Sequence, residues 1–554
     1  MANVLVEKQS LVNAADAIRE KLGTQELITP EDFGEKIGEI SGGGEDIPRT
    51  QWGAVKIYPE LIANFDIRFQ SGCTVVVQNA ALFLSFCEEN DLLNEPDIMI
   101  EYNSGNWQFG WGGASVSEAD LLSTTGLQIT RQSDSAMAEL EYAPSPSGDP
   151  IWVNLLSASE YETIRADYDG NITVGGESVS PRQVVAFAFG TENTSTNENM
   201  FDNYLNIEKI YFDNADKLTT LSNSFCLNCH KLNSPISCDT VTTIGDSVLT
   251  SCDSFCSPIN LPNAYSIGGS FMDGCSSFHS DKDLTLDFSH MTSIPSYFLN
   301  GTIIKSLSFL TTDGQTMYSS VTSIGNYVFS GVALGAFRLK SDTLTSIGNG
   351  FLSRTMTDGD TSNILNFPNL TTVGTDFLRG VYCYGSLNFN FPKLESVGAG
   401  FLRDGDFTLG ENPNSTTYTI SLPMLTTVGN SFMYNCLGRT TVTLSTPSLT
   451  NIGGSFLAHC KTRIASYTIP ETARGYLNWF AYDADIERIV CNAPYSNFSY
   501  SGGSNPQQVF ATGNNRNAAY LLGITISGTY RGEFLTALPN SDTAYLRKLI
   551  DGGA

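Results

Sequence analysis

The sequence predicts a mainly β chain whose centre is a parallel-stranded repeat solenoid, with an N-terminal helical anchor and a β-sandwich-like domain ahead of it. Three observations lead there. A twelve-residue pattern recurs ten times between residues 218 and 460. Short stretches that alternate apolar and polar residues lie between the copies, the signature of strands. The composition, with 50 glycines and abundant Ser, Thr and Asn, suits turn-rich β structure.

Taken in chain order, residues 1–44 read as two short amphipathic helices and a glycine linker. Ser10 caps the first, and Leu11, Ile18 and Leu22 fall on one face with Ala14 and Ala15. Thr29 caps the second, Pro30 takes its first helical position, and Phe33, Ile37 and Ile40 form its apolar side. So short a segment buries no core of its own, and the tether Ser41-Gly42-Gly43-Gly44 points to a docking module. Residues 45–150 contain alternating runs such as AVKIY, IMIEY, WQFGW and AELEY, which predict a small sandwich. Trp107 and Trp111 lie four apart there and are candidates for a sugar-stacking platform, with core filling as the bland alternative. Residues 151–204 read as a transition and N-cap, with TENTSTNENM a polar loop. Residues 471–554 are expected to cap the far end, since an exposed terminal coil aggregates. A final helix is expected beyond Asp542.

The solenoid itself is assigned to residues 205–470. Its ten segments begin at Leu218, Val241, Ala264, Met291, Val321, Leu344, Leu370, Leu394, Leu425 and Leu449, 23 to 31 residues apart. Each column has a physical reason. Positions 1 and 4 are apolar and stack from coil to coil as a continuous core. Position 5 is Gly in eight of ten copies, for example Gly245, Gly325 and Gly398, which implies either φ > 0 or close approach of a neighbouring coil. Position 8 is Phe in eight of ten, for example Phe271, Phe377 and Phe456, a ladder of rings. Between the segments, INLPN, ILNFPN, LNFNFPK and YTISLP read as one strand per repeat, ended by Pro262, Pro368, Pro392 and Pro423. Position 12 is Cys in five copies (Cys229, Cys252, Cys275, Cys436 and Cys460) and Thr, Val or Gly in the others. That column asks for a small buried residue, a role free Cys fills. A disulfide between Cys226 and Cys256 on adjacent coils is the alternative. No pair of CxxC motifs stands at zinc-site spacing.

The pattern L-T-S-I-G-x-x-F-L-x-x-C, followed by a strand ending in Pro, resembles the BspA-like leucine-rich repeats. That resemblance implies a curved leucine-rich repeat solenoid with roles in adhesion or binding. Residues 1–42, through Ala17-Ile18-Arg19-Glu20-Lys21 and the Thr29-Pro30-Glu31 turn, resemble a short N-terminal module of tail and baseplate-associated proteins from phages of Gram-positive bacteria. The stretch from Tyr102 to Thr130 resembles a β-domain of phage fibre and baseplate proteins.

No chemistry emerges from the motifs. The sequence contains no GxxxxGK[ST], HExxH or strand-to-helix GxSxG, and its four histidines are unclustered. No catalytic residue, cofactor or metal is expected, although a polysaccharide depolymerase needs only two carboxylates among 58 acids. A net charge of −28 disfavours a nucleic-acid partner. Residues 1–20 show neither a basic n-region nor an apolar h-region, and no run of apolar residues is long enough to span a bilayer. Neither export by a signal peptide nor membrane insertion is therefore expected. The expectation is a non-enzymatic phage virion protein, a tail or head fibre for host attachment. It would dock on other virion proteins through residues 1–44 and meet a host-surface protein or glycan, as a homo-oligomer (a trimer). A bacterial surface adhesin is the alternative. Tyr382, Tyr384 and Tyr418 in the longer repeats are candidate host contacts.

Overall fold

The computed structural model describes residues 47–70, 98–103, 106–110, 112–114, 127–131, 136–165, 170–275, 283–287, 291–303, 306–309, 321–334, 338–357, 363–409, 417–438, 441–476, 480–499 and 523–537. The expected anchor residues Leu11, Ile18, Leu22, Phe33, Ile37 and Ile40 lie outside the described residues, as does the helix expected beyond Asp542.

The solenoid coils stack as the columns require. Each coil contributes two parallel strands. A two-residue strand occupies positions 3 and 4 of every copy, as in Thr243–Ile244, Ser346–Ile347 and Asn451–Ile452. Seven of these, from Ser293–Ile294 to Asn451–Ile452, continue into Arg474–Tyr476 and Phe498–Ser499 as one nine-stranded parallel ladder, and the three earlier ones form another. The second strand is the one expected from the alternating stretches. Asn363–Asn366 pairs in parallel with Tyr382–Asn390, and Thr417–Ser421 with Thr441–Ser445. Each of these strands stops two residues before its proline where Pro368, Pro392, Pro423 and Pro447 follow.

The column-5 glycines are there for close approach, not for a left-handed backbone. A Cβ on Gly398 would sit 2.5 Å from the Gly374 carbonyl carbon, and one on Gly245 2.5 Å from the Asn223 nitrogen of the preceding coil. Positive φ appears instead at positions 7, 9 and 11, as in Ser247 (58°), Leu249 (58°) and Ser251 (56°). This alternation of right- and left-handed residues sends successive N–H groups in opposite directions. Ser247 and Ser251 donate forward to Gly269 and Asp273, while Leu249 donates back to Phe225. Bulky residues ordinarily avoid this conformation. Here Leu352, Leu378, Leu402 and Met433 all adopt it, with their side chains buried in the core.

Those bonds define two coils beyond the ten that the repeat pattern marks. The run Asn193–Tyr204, which overlaps the TENTSTNENM stretch expected to be a polar loop, is a coil: Asn199, Phe201 and Asn203 carry the alternating positive φ. Met200 accepts from Cys226, and Ser195 bridges Thr220. At the other end residues 473–476 and 480–484 belong to a further coil. Phe480 stacks on Phe456 at 5.2 Å, and Ala481 donates to the Phe456 carbonyl.

At the N-terminal end of the stack a four-stranded sheet, three strands from ahead of the first coil and one from after its turn, closes the core. Its order is Lys209–Tyr211, Val184–Ala188, Ala54–Ile57, Ile151–Asn154. Phe187 meets Phe201 at 5.0 Å and Phe201 meets Phe225 at 5.9 Å, so the cap and the ring ladder share one core. Tyr161, from the helix Ala158–Thr163, donates its hydroxyl to the Ser195 carbonyl at 2.8 Å. At the far end Gly523–Ile526 pairs with Arg488–Cys491, and Phe534 of the helix Arg531–Ala537 packs edge-on to Tyr495 at 5.1 Å. Six described strands between Glu60 and Ser147 form one mixed sheet.

Candidate binding surface

The inner columns fix the scaffold on which any surface must stand. Phe377, Phe401, Phe432 and Phe456 stack nearly parallel at 5.1–5.3 Å, each contact worth about 0.5–1.5 kcal/mol beyond its buried area. The cysteine column is buried and unbridged. All ten cysteines among the described residues are free, including Cys226 and Cys256. The structure adds a reason for Cys over Ala. Cys252 donates its thiol to the Cys226 carbonyl at 2.9 Å, Cys229 to Phe201 at 2.9 Å and Cys275 to Leu249 at 3.2 Å. Thr355 does the same to Phe329 with its hydroxyl. In these four the acceptor is the position-9 carbonyl of the preceding coil, so a small donor here ties neighbouring coils together, whereas Thr302 turns to Leu299 of its own coil. Burial pushes the Cys229, Cys252 and Cys275 thiols well up, which removes nucleophilic and metal-binding character.

Two outer columns form polar ladders. At position 6 a side-chain oxygen accepts the N–H of the same position one coil on: Asn223 from Asp246, Asp246 from Gly269, Asn326 from Asn349, Asn349 from Thr375 and Asn430 from Gly454, all at 2.7–2.9 Å. At position 2, Thr345, Thr371 and Thr450 donate their hydroxyls to the position-2 carbonyl of the coil before. Positions 2 and 3 together present a hydroxyl-lined face.

On the alternately handed turn, the later coils carry a different chemistry. Arg379 pairs with Asp376 at 3.2 Å, and Arg403 pairs with Asp404 at 3.1 Å and lies over the Tyr434 ring at 5.3 Å. His459 sits edge-on between Tyr434 and Tyr482, and its Nδ1 lies 3.2 Å from Asp483. Lys461 holds Asp483 at 3.1 Å; it and His459 keep the carboxyl below its ordinary range against the opposing effect of burial. Two coils on the same turn further toward the N-terminus present the stacked pair Tyr297 and Tyr327, 5.2 Å apart and about 40% exposed.

The residues singled out by sequence are placed as follows. Trp107 lies in the strand Asn106–Gly110 opposite Tyr102, and Trp111 lies outside the described residues. Tyr382 and Tyr384 belong to the strand Tyr382–Asn390 rather than to an inserted loop, and Tyr382 is half-buried. Tyr418 is half-buried too. Its hydroxyl donates to Asn388 Oδ1 at 2.8 Å and its ring packs edge-on to Phe389. The aromatic residues that the structure gathers at the surface (Tyr297, Tyr327, Tyr434 and Tyr482) were not singled out, although each sits at a fixed column number.

Among the described residues no group of His, Cys, Asp and Glu is arranged to hold a metal. No helix of the described residues is long and apolar enough to cross a membrane. The fold and its surfaces define a leucine-rich-type solenoid, a scaffold typical of binding proteins. The BspA type leucine rich repeat region matches in six copies, over residues 194–314, 282–401 and 411–501. These segments span more than half of the chain, which belongs to the BspA-type leucine-rich repeat family. No curated protein matches the sequence. Among solved structures, a leucine-rich repeat protein from Bacteroides ovatus is similar at 15% identity, with a TM-score of 0.41, covering 73% of this chain and 88% of that one. The pneumococcal vaccine antigen PcpA aligns at 10% identity with a TM-score of 0.27, covering 85% and 98%.

Proposed function

We propose that this chain is a non-enzymatic attachment protein that displays its solenoid toward a host surface, carried on a phage particle as a fibre component. The observation that carries the attachment reading is the nature of the exposed columns. They are mostly hydroxyl and amide ladders on two sides, with Asp246 and Glu395 among them, and an Arg–Tyr–His row on the turn, held rigid by the ring and thiol columns inside. Such surfaces suit recognition of glycan or protein, and nothing in their arrangement pairs an acid with a base across a cleft. The particle reading is supported by the resemblance of residues 1–42 to a phage docking module and of residues 102–130 to a fibre domain.

A bacterial surface adhesin is the second reading, and family membership favours it. One experiment separates them. Mass spectrometry and immunogold labelling of purified particles are expected to find the chain as a stoichiometric component. Its absence from particles, together with release by protease shaving of intact uninfected cells, would establish the adhesin instead. Incubation of the chain with host glycans is expected to release no sugar.

A further inference from the structure

Near its N-terminal end the stack of coils leaves one face open. Between the coil starting at Asn193 and the coil starting at Leu218, the position-3 strands bridge at Ser195 and Thr220 and the turns exchange their usual bonds. On the remaining face, Lys209–Tyr211 belongs to the cap sheet while Ile236–Ser237 opens a separate sheet, and the two do not pair. The next interface on that face pairs normally, Ile236 and Ser237 with Ile259 and Asn260. The cause is local. Pro235 offers no N–H to the preceding strand, and the Ser234 hydroxyl takes the Ile210 carbonyl at 2.9 Å, a bond the strand ladder would otherwise use. The coils touch again where Thr240 Oγ donates to the Ala215 carbonyl at 3.2 Å. What remains between is an open groove of about 530 Å³, within the size range of small-ligand sites.

The lining is amphipathic. Phe212, packed on Phe189 at 5.0 Å, stays half-buried at the groove. Asp213, Asn233 and Ser237 are exposed around it, with Lys209 at one end. Asn233 holds the next coil through its Oδ1, which accepts from Cys256 N and Ser257 Oγ, and so keeps its amide in a fixed orientation. The rim continues through Tyr211, whose ring lies 6.0 Å from that of Trp152.

We propose that this groove binds one neutral pyranose residue of a surface glycan. The Phe212 ring meets the apolar C–H face of the sugar. The Asp213 carboxylate accepts from ring hydroxyls, while the Asn233 amide and the Ser237 hydroxyl supply further polar contacts. Lys209 and Asp213 offset one another in charge, so the site selects for an uncharged sugar. The inference deepens the attachment reading and rests on it for its biological meaning, but its test is read on the isolated chain and fails independently of where the chain is carried.

The test is saturation-transfer NMR on the full chain with the methyl glycosides of glucose, galactose, N-acetylglucosamine and rhamnose. Transfer to the ring protons of at least one is expected. Ser237→Phe, which fills the groove from an exposed position, is expected to abolish it. Asp213→Ala is expected to weaken binding at least several-fold, and Met424→Ala, on a distant exposed site, to leave it unchanged. All three variants are checked for an unaltered melting temperature, and Asp213→Ala stands as the readout if Ser237→Phe does not fold. Transfer from none of the sugars, or transfer that survives both groove variants, overturns the proposal. If a capped Val-Thr-Val-Thr peptide gives the transfer and the sugars do not, the groove is a strand-addition slot and the sugar assignment is wrong.

Discussion

A single methyl group is the sharpest probe of this architecture. At Gly398 a Cβ would meet the Gly374 carbonyl carbon at 2.5 Å and the Thr375 nitrogen at 2.6 Å. Both are backbone atoms tied into the ladder, so neither can yield. Gly398→Ala is expected to cost about 3 kcal/mol, the upper end for overpacking, read as a lowered urea midpoint. Gly454→Ala, whose nearest neighbour would be 3.6 Å away, is expected to leave the midpoint nearly unchanged. The thiol column makes a second prediction. Burial pushes Cys383 and Cys491 up to about 11, and Cys229, Cys252 and Cys275 well above the ordinary thiol value. An unfolded thiol ionises near 8.5, so between that value and the folded pKa the unfolded chain binds fewer protons. The stabilising contribution is therefore complete below about pH 8.5 and is lost as pH rises. The melting temperature is expected to fall steadily from pH 8 to pH 11. Peptide-level alkylation at pH 8 should spare the buried column in the folded chain and modify it in urea.

At the scale of one coil, the ladders decide how tightly neighbours hold. Asn349 accepts the Thr375 N–H at 2.8 Å, and its own N–H goes to Asn326. Asn349→Ala is expected to destabilise by about 1 kcal/mol, the net worth of one hydrogen bond. It should speed amide exchange at Thr375 while leaving Asn349's own amide protected. A uniform change across all coils would contradict this nearest-neighbour picture. The same scale explains what sequence reasoning found and what it missed. Ten coils were legible because Ile or Val at position 4, Gly at 5 and Phe at 8 recur together. The coil at Asn193 escaped because it places Asn at position 1, Thr at 4 and Asn at 5, residues that read as a loop. Its apolar signal is confined to Met200 and Phe201 at positions 8 and 9, 25 residues before Phe225 and Cys226. The coil at Ala473 kept Phe480 but shifted its strand, with Gly475 at φ 143° and paired with Ile452. The donor role of the cysteine column was illegible because it depends on a carbonyl in another coil. The surface row Arg403–Tyr434–His459–Tyr482 was illegible for the same reason, since each partner comes from a different repeat. The groove at Phe212 arises where a ladder bond fails to form, which no column pattern records.

For the whole molecule, stability is a sum over coils and their interfaces. Removal of one complete repeat, residues 370–393, joins Leu344's coil to Leu394's in register and is expected to give a folded protein with a slightly lower melting temperature. Removal of twelve residues, 370–381, breaks the phase of every column and is expected to give a chain without cooperative melting. Circular dichroism on both deletions checks this. Equal behaviour would mean that the coils are not interchangeable units. The caps are different in kind. Tyr161 and Phe187 on one side and Phe534 on the other come from segments outside the repeat, so each end has its own closure.

The alternating turn has a mechanical consequence. Because Ser247 and Ser251 hold the coil ahead while Leu249 holds the coil behind, each coil is clasped from both sides, and a load along the axis is borne by the whole stack. Detachment proceeds only from an end, one coil at a time. Drawn out between a bead and a surface, the protein should lengthen in a sawtooth, each tooth releasing about 80 Å for a coil of roughly 24 residues. A tether that yields in such steps dissipates a sudden pull without parting.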